Sequence, residues 1–247
     1  MFFEVNSSTR LAPIEINFAM DNPLSSPATS RPFFGLESRI STTELRRRFW
    51  HIAPGFLPFI LWFLSHRDPI SGELSFILIA IVVGITISII RGYQQIARSG
   101  KDKNELSAVV GYAGSVLFTI LLFPAQMEIG FLVLAILAFG DGSATLGGML
   151  LRGPTLPWNR KKTFSGLISF IFFGGLLASI IYWGESQNLE ALNPHASFRT
   201  SLQIGMTVAF VAAFVETIPS RINDNIRVGM TAAGMGVLMH WLVTGWA

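Results

Sequence analysis

Seven apolar stretches, at about 49–64, 74–91, 106–123, 128–150, 164–183, 201–219 and 228–246, constrain this 247-residue chain more than any other feature. A helix needs roughly 20 apolar residues to cross hydrocarbon. Within a bilayer only helices and closed barrels satisfy every backbone N–H and C=O. The stretches therefore predict an all-α polytopic integral membrane protein with about seven transmembrane helices. Only 13% of the residues are charged, against about 25% in soluble domains. The first stretch is short. Ser41-Thr42-Thr43-Glu44 fits a capping box, which predicts a helix starting there and entering the membrane through Arg46, Arg47 and Arg48. Pro54 and Pro58 predict a bend in it. Residues 1–40 carry a polar, proline-bearing run that cannot build a core. They predict a disordered cytoplasmic tail and no signal peptide, which leaves 41–247 as the transmembrane domain.

The bases predict an orientation. With the N-terminus in the cytoplasm, only Arg67 and Arg199 of the 18 Lys and Arg residues fall on the outer side. The other 16 fall inside, as the positive-inside rule expects. The assignment gives a protein of the inner or plasma membrane, if the source is bacterial. Its polar groups of interest gather toward the cytoplasm, where nucleoside triphosphates are found. The chain has no cysteine, which excludes disulfides and thiolate metal sites. His51, His66, His195 and His240 are scattered and show no zinc spacing.

Four clusters carry chemistry, and each has a plainer reading. Asp141 sits in the run Phe139 to Gly148, inside an apolar stretch where an ionisable group is costly and by default functional. On a helix, Asp141, Ala144, Thr145 and Gly148 share one face, which leaves room for a metal ion and a phosphate. Alternatively, Asp141 pairs with a base and the glycines serve close helix packing. Asn159-Arg160-Lys161-Lys162-Thr163 ahead of Gly166 can clamp phosphates or can act only as a topology signal. Glu216, Asp224 and Asn225 offer hard oxygen ligands suited to Mg²⁺, while Asp224 or Asn225 could instead cap the last helix. His51 follows Arg47 and Arg48 by one helical turn, so the three can face one pocket or form an interfacial basic patch beside Trp50. Gly111, Gly114, Gly229, Gly234 and Gly236 predict close helix approach, and Tyr112 falls in the first of these small-residue runs.

Over residues 44–247 these motifs resemble the CTP-dependent polyprenol and lipid kinases: dolichol kinase, phytol and farnesol kinase, and the CTP-using diacylglycerol kinase. These are relatives of phosphatidate cytidylyltransferase. The resemblance rests on three blocks in order, Arg47-Arg48-x-x-His51, Gly140-Asp141 through Gly147 to the Asn159–Gly166 run, and Glu216 to Asn225. Two positions depart from the family pattern. Ser165 stands where glutamate is common, and Gly229 where proline usually follows. The Pro-Gly-His-Gly-Gly signature of the cytidylyltransferases is absent.

The resemblance implies transfer of the terminal phosphoryl group of CTP, or another nucleoside triphosphate, to the hydroxyl of a membrane lipid alcohol. It implies Asp141, Lys161, Lys162 and Asp224 as catalytic residues. Arg47, Arg48, His51, Gly140, Gly147, Asn159, Arg160, Thr163 and Gly166 would contact nucleotide or phosphate. Asp141, Glu216, Asp224 and Asn225 would hold Mg²⁺, and Asp141 could double as the base. No nucleic acid partner is expected, and a homo-oligomer stays open. The rivals are CDP-lipid synthesis by a cytidylyltransferase and an ion-coupled transporter. The transporter predicts acids spread through the membrane depth, whereas the polar groups identified here are expected at one side.

Overall fold

The structure is a computed structural model that describes residues 48–62, 71–96, 103–124, 126–188 and 196–245. The tail 1–40, the capping box at Ser41 to Glu44, Arg47, Arg67 and His195 lie outside the described residues. Seven helices occur among those described, in the order of the apolar stretches. They are α1 (48–61), α2 (Gly72–Ile96), α3 (Lys103–Leu122), α4 (Met127–Leu151), α5 (Phe164–Ser186), α6 (Phe198–Thr217) and α7 (Asp224–Thr244). Four of them, α4 to α7, are long and apolar enough to cross a membrane. The seven-span count and the cytoplasmic N-terminus rest on the sequence alone.

Local chemistry explains the helix ends and irregularities. In α1 the helix tightens to a 3-10 turn over Ala53–Phe56, where Pro54 supplies no N–H. Thr163 caps α5 by accepting from the Gly166 N–H at 3.1 Å. Ser197 caps α6 in the same way through Thr200. The cap of α7 is Asn223, whose Oδ1 accepts from the Asn225 N–H at 2.9 Å. The sequence expectation of Asp224 or Asn225 as cap was therefore one or two positions late. One element was not expected at all. The basic run forms a two-stranded antiparallel hairpin, β1 (Thr155–Leu156) and β2 (Asn159–Thr163), between α4 and α5. The other regular elements among the described residues are helices.

Helix α4 is the centre of the bundle. Of its most apolar window 72% is buried, against 33% for α7, so α4 meets protein on most sides and α7 on one. Every residue from Met127 to Gly140 is buried. Helix α4 packs against α5, α7 and α3, and α5, α6 and α7 pack in succession around it. Both α4 and α5 contain a π turn, at Ile136–Asp141 and Phe170–Gly174, and the two turns face each other.

Glycines bring these turns together. A Cβ on Gly174 would stand 2.8 Å from the Gly140 Cα, and one on Gly140 would stand 2.7 Å from the Phe170 ring. We expect Gly174→Ala to cost about 1–3 kcal/mol of stability by overpacking, because backbone cannot step aside. Gly234 has open space around its Cβ position, so Gly234→Ala should be neutral or gain up to about 1 kcal/mol from helix propensity. Thermal unfolding in one detergent compares the two. Gly111 and Gly229 do lie at tight helix contacts, against Asn223 and Ser115, whereas Gly114 and Gly234 face open space. Close approach thus accounts for only some of the glycines expected to serve it.

Candidate functional site

The π turn of α4 ends on Asp141 and presents its carboxylate to α1. His51 Nε2 lies 3.0 Å from Asp141 Oδ2 and 3.1 Å from the Leu137 carbonyl oxygen. Both neighbours are acceptors, so Nε2 carries the hydrogen and donates to them. The tight fit of α1 against this turn needs Gly142, whose Cβ would stand 2.5 Å from Ile52. The charges of Arg48, His51 and Lys162 all act on Asp141.

Hairpin β1–β2 folds Lys162 over the end of α6. Its Nζ donates to Glu216 Oε1 and lies 3.6 Å from Asp224 Oδ2. The hairpin is fixed by its own side chains. Asn159 Nδ2 donates to the Thr217 carbonyl at 2.9 Å, and Trp158 Nε1 donates to Thr217 Oγ1 at 3.1 Å. Glu216 is 4% exposed, so its carboxylate depends on the ammonium for compensation. On the far side of Asp224, Arg227 donates to Oδ1 at 2.5 Å and to the carbonyls of Val215 and Ile218 at 2.9 Å. Arg227 thereby closes the C-terminal end of α6, where backbone carbonyls lack helical partners.

Burial works to lower the Lys162 pKa. The charge of Glu216 and its hydrogen bond, then Asp141 and Asp224, outweigh burial and hold the ammonium above its ordinary value. The sign follows from linkage. A raised folded pKa gives stabilisation that is complete below the ordinary lysine value near about 10.4 and fades only as pH rises through the higher one. The stability difference between the wild-type protein and Lys162→Met should therefore show no Lys162 titration between neutrality and about pH 10. Denaturation midpoints taken across that range test it.

The structure brings together His51, Asp141, Lys162, Glu216 and Asp224 from five separate elements, with Arg48 acting from α1. Arg160 and Lys161 are exposed on the hairpin, and Asn225 is buried at the start of α7. Thr163 is taken up by its cap. Gly140 packs on Phe170, Gly147 on Ser169 and Gly166 on the Ala144 carbonyl, so these glycines act at the contact of α4 with α5. Two residues were missed by sequence reasoning. Arg227 was counted only as a base on one side, although its i,i+3 spacing from Asp224 was visible. Tyr112 was read as part of a packing motif, yet its ring lies edge-on to His51 with centroids 4.9 Å apart.

A second polar cluster lies apart from this site, around His240, which the sequence reading placed toward the outer side. Glu128, Tyr182, Glu185 and His240 are each 1% exposed. Tyr182 Oη is 2.6 Å from His240 Nδ1, and Glu128 Oε1 is 3.7 Å from the same atom. Glu128 precedes Asp141 by 13 residues of continuous helix, about 20 Å along the axis. Acids therefore occur at two depths, and depth alone does not separate an enzyme from a transporter.

These features define a mostly helical chain, four of whose helices are long and apolar enough to cross a membrane, with a cluster of acids and bases where α1, α4, the hairpin, α6 and α7 meet. The chain is similar to the phytol kinases. It is 25% identical over 198 residues to phytol kinase 1, chloroplastic, of Arabidopsis thaliana, covering 75% of this chain and 63% of the relative. It is 29% identical over 150 residues to a probable phytol kinase, chloroplastic, of Zea mays (59% and 48%). It is 27% identical over 209 residues to probable phytol kinase 2, chloroplastic, of Oryza sativa subsp. japonica (79% and 66%). The chain thus spans between about half and two thirds of the length of these relatives. No family model matches it, and no solved structure does.

Proposed function

We propose that this protein is a membrane lipid kinase that transfers the terminal phosphoryl group of CTP, or another nucleoside triphosphate, to the hydroxyl of an isoprenoid alcohol such as phytol. The observation that carries this reading is Lys162, held among Glu216, Asp224 and Asp141 beside the His51–Asp141 pair. The similarity to phytol kinases supplies the acceptor class.

The alcohol oxygen forms a bond to the terminal phosphorus while the bond to the bridging oxygen breaks and the nucleoside diphosphate leaves. Asp141, held by the His51 N–H, takes the hydroxyl proton. Lys162 lies against the transferring phosphoryl group, and the exposed Arg160 and Lys161 reach the outer phosphates from the hairpin. Arg48 meets the donor from α1. Transfer of this kind depends mainly on positioning and electrostatics.

Among the described residues no three His, Asp or Glu side chains converge as a ready metal cage. The oxygen donors instead fit Mg²⁺ arriving on phosphates, which usually engages one or two protein carboxylates. Asp141 and Asp224 would hold it, with Glu216 and Asn225 behind them, and it would offset negative charge on the phosphates.

The test is purified protein in detergent with Mg²⁺, a panel of lipid alcohols and CTP labelled at the α or the γ phosphate. Label from the γ position in the lipid fraction is expected, with phytol among the acceptors. Label from the α position with pyrophosphate released would establish CDP-lipid synthesis instead. Transfer of neither by folded protein would overturn the kinase reading.

A further inference from the structure

The hydroxyl of Tyr112 is buried and has no hydrogen-bond partner among the described residues. Most buried hydroxyls find one, and leaving one unmade costs free energy. Packing does not explain the residue type, since phenylalanine would fill the same space without that penalty. The place is specific. Tyr112 stands on α3 with its ring edge-on to His51, and the charge of Asp141 acts on it. It therefore belongs to the wall of the His51–Asp141 pair. The donors already facing Asp141 are His51 and the more distant cations, and the phenol adds one neutral donor whose hydrogen is uncommitted.

We propose that Tyr112 is a further catalytic residue, whose Oη–H donates a hydrogen bond to an oxygen of the substrate bound against the His51–Asp141 pair. The recognised chemistry is an oxygen acceptor excluded from water, met either as the hydroxyl oxygen of the alcohol or as an oxygen of the transferring phosphoryl group. A phenol suits this position because it brings no charge that would compete for Asp141. The assignment rests on the kinase reading of the site.

The experiment compares the wild-type protein with Tyr112→Phe, which removes one oxygen and keeps the ring against His51. Three quantities are read: the thermal midpoint without ligand, kcat and KM for phytol, and kcat and KM for CTP. The midpoint is expected to be unchanged or higher, because the hydroxyl has no hydrogen-bond partner among the described residues. The value of kcat/KM is expected to fall about tenfold, the effect of losing one buried hydrogen bond to substrate. A rise confined to KM for phytol would place the bond on the alcohol oxygen. A fall in kcat, or a rise in KM for CTP, would place it on the phosphoryl oxygen. Unchanged kinetics in an active wild-type background would overturn the assignment and leave the kinase reading intact. A lowered midpoint accompanying the loss would also overturn it, in favour of a structural hydroxyl. Absence of transfer by the wild-type protein would overturn the kinase reading, and this assignment with it.

Discussion

Asp141→Asn should lower phosphoryl transfer by two to three orders of magnitude, roughly what removing one central electrostatic group costs an enzyme, while the protein still inserts and folds. The substitution is close to isosteric. The asparagine carbonyl can still accept from His51 Nε2, which also donates to the Leu137 carbonyl. Geometry is thus largely kept and the charge is lost. With it would go the proton acceptor proposed above and the charge on which Arg48 and Lys162 act. The check is initial rate at saturating CTP and phytol, with thermal unfolding on the same preparation. Turnover within a few-fold of wild type would remove Asp141 from the mechanism.

The second large effect is on stability as well as activity. Lys162→Met should abolish transfer and cost about 3–5 kcal/mol, because it strands the Glu216 carboxylate in a buried site. Asp224 suffers less, since Arg227 still holds it at 2.5 Å. Adding Glu216→Gln to Lys162→Met should recover much of the lost stability and none of the activity. Unfolding midpoints and rates on the wild type, both single variants and the double variant separate the two roles. A Lys162→Met protein as stable as wild type would mean that the pair is solvated and that Glu216 needs no cation.

Most of the helical frame was legible in the sequence, because apolar length is set by the membrane and not by tertiary detail. The six apolar stretches from 74 onward lie largely within helices α2 to α7. The site was legible in part. Asp141 and Glu216 stood out as acids in apolar surroundings, and Lys162 only as one of three adjacent bases. What could not be read was pairing. Nothing in the spacing tells that Lys162 faces Glu216 while Lys161, one residue away, is exposed, because that depends on the hairpin alternation. The hairpin itself was hidden, since a run of Asn, Arg and Lys has no strand-like apolar alternation. Tyr112 was hidden for a different reason. A tyrosine between two glycines reads as packing until the empty surroundings of its hydroxyl are seen.

The π turn of α4 has a consequence for how this chain tolerates change. Such a turn accommodates one residue more than a regular helix would, so the segments on either side keep the phase of a helix one residue shorter. The segment from Met127 to Ala135 answers to the bundle centre, while the segment carrying Asp141 answers to α1 and α5. Loss of one residue from 136–140 would convert the turn to ordinary helix and leave the flanking segments in their present directions. A second loss finds no such slack and would swing Asp141 about 100° from His51. Two deletions there, and not one, would thus yield a membrane protein sound by every bulk criterion and silent at its site.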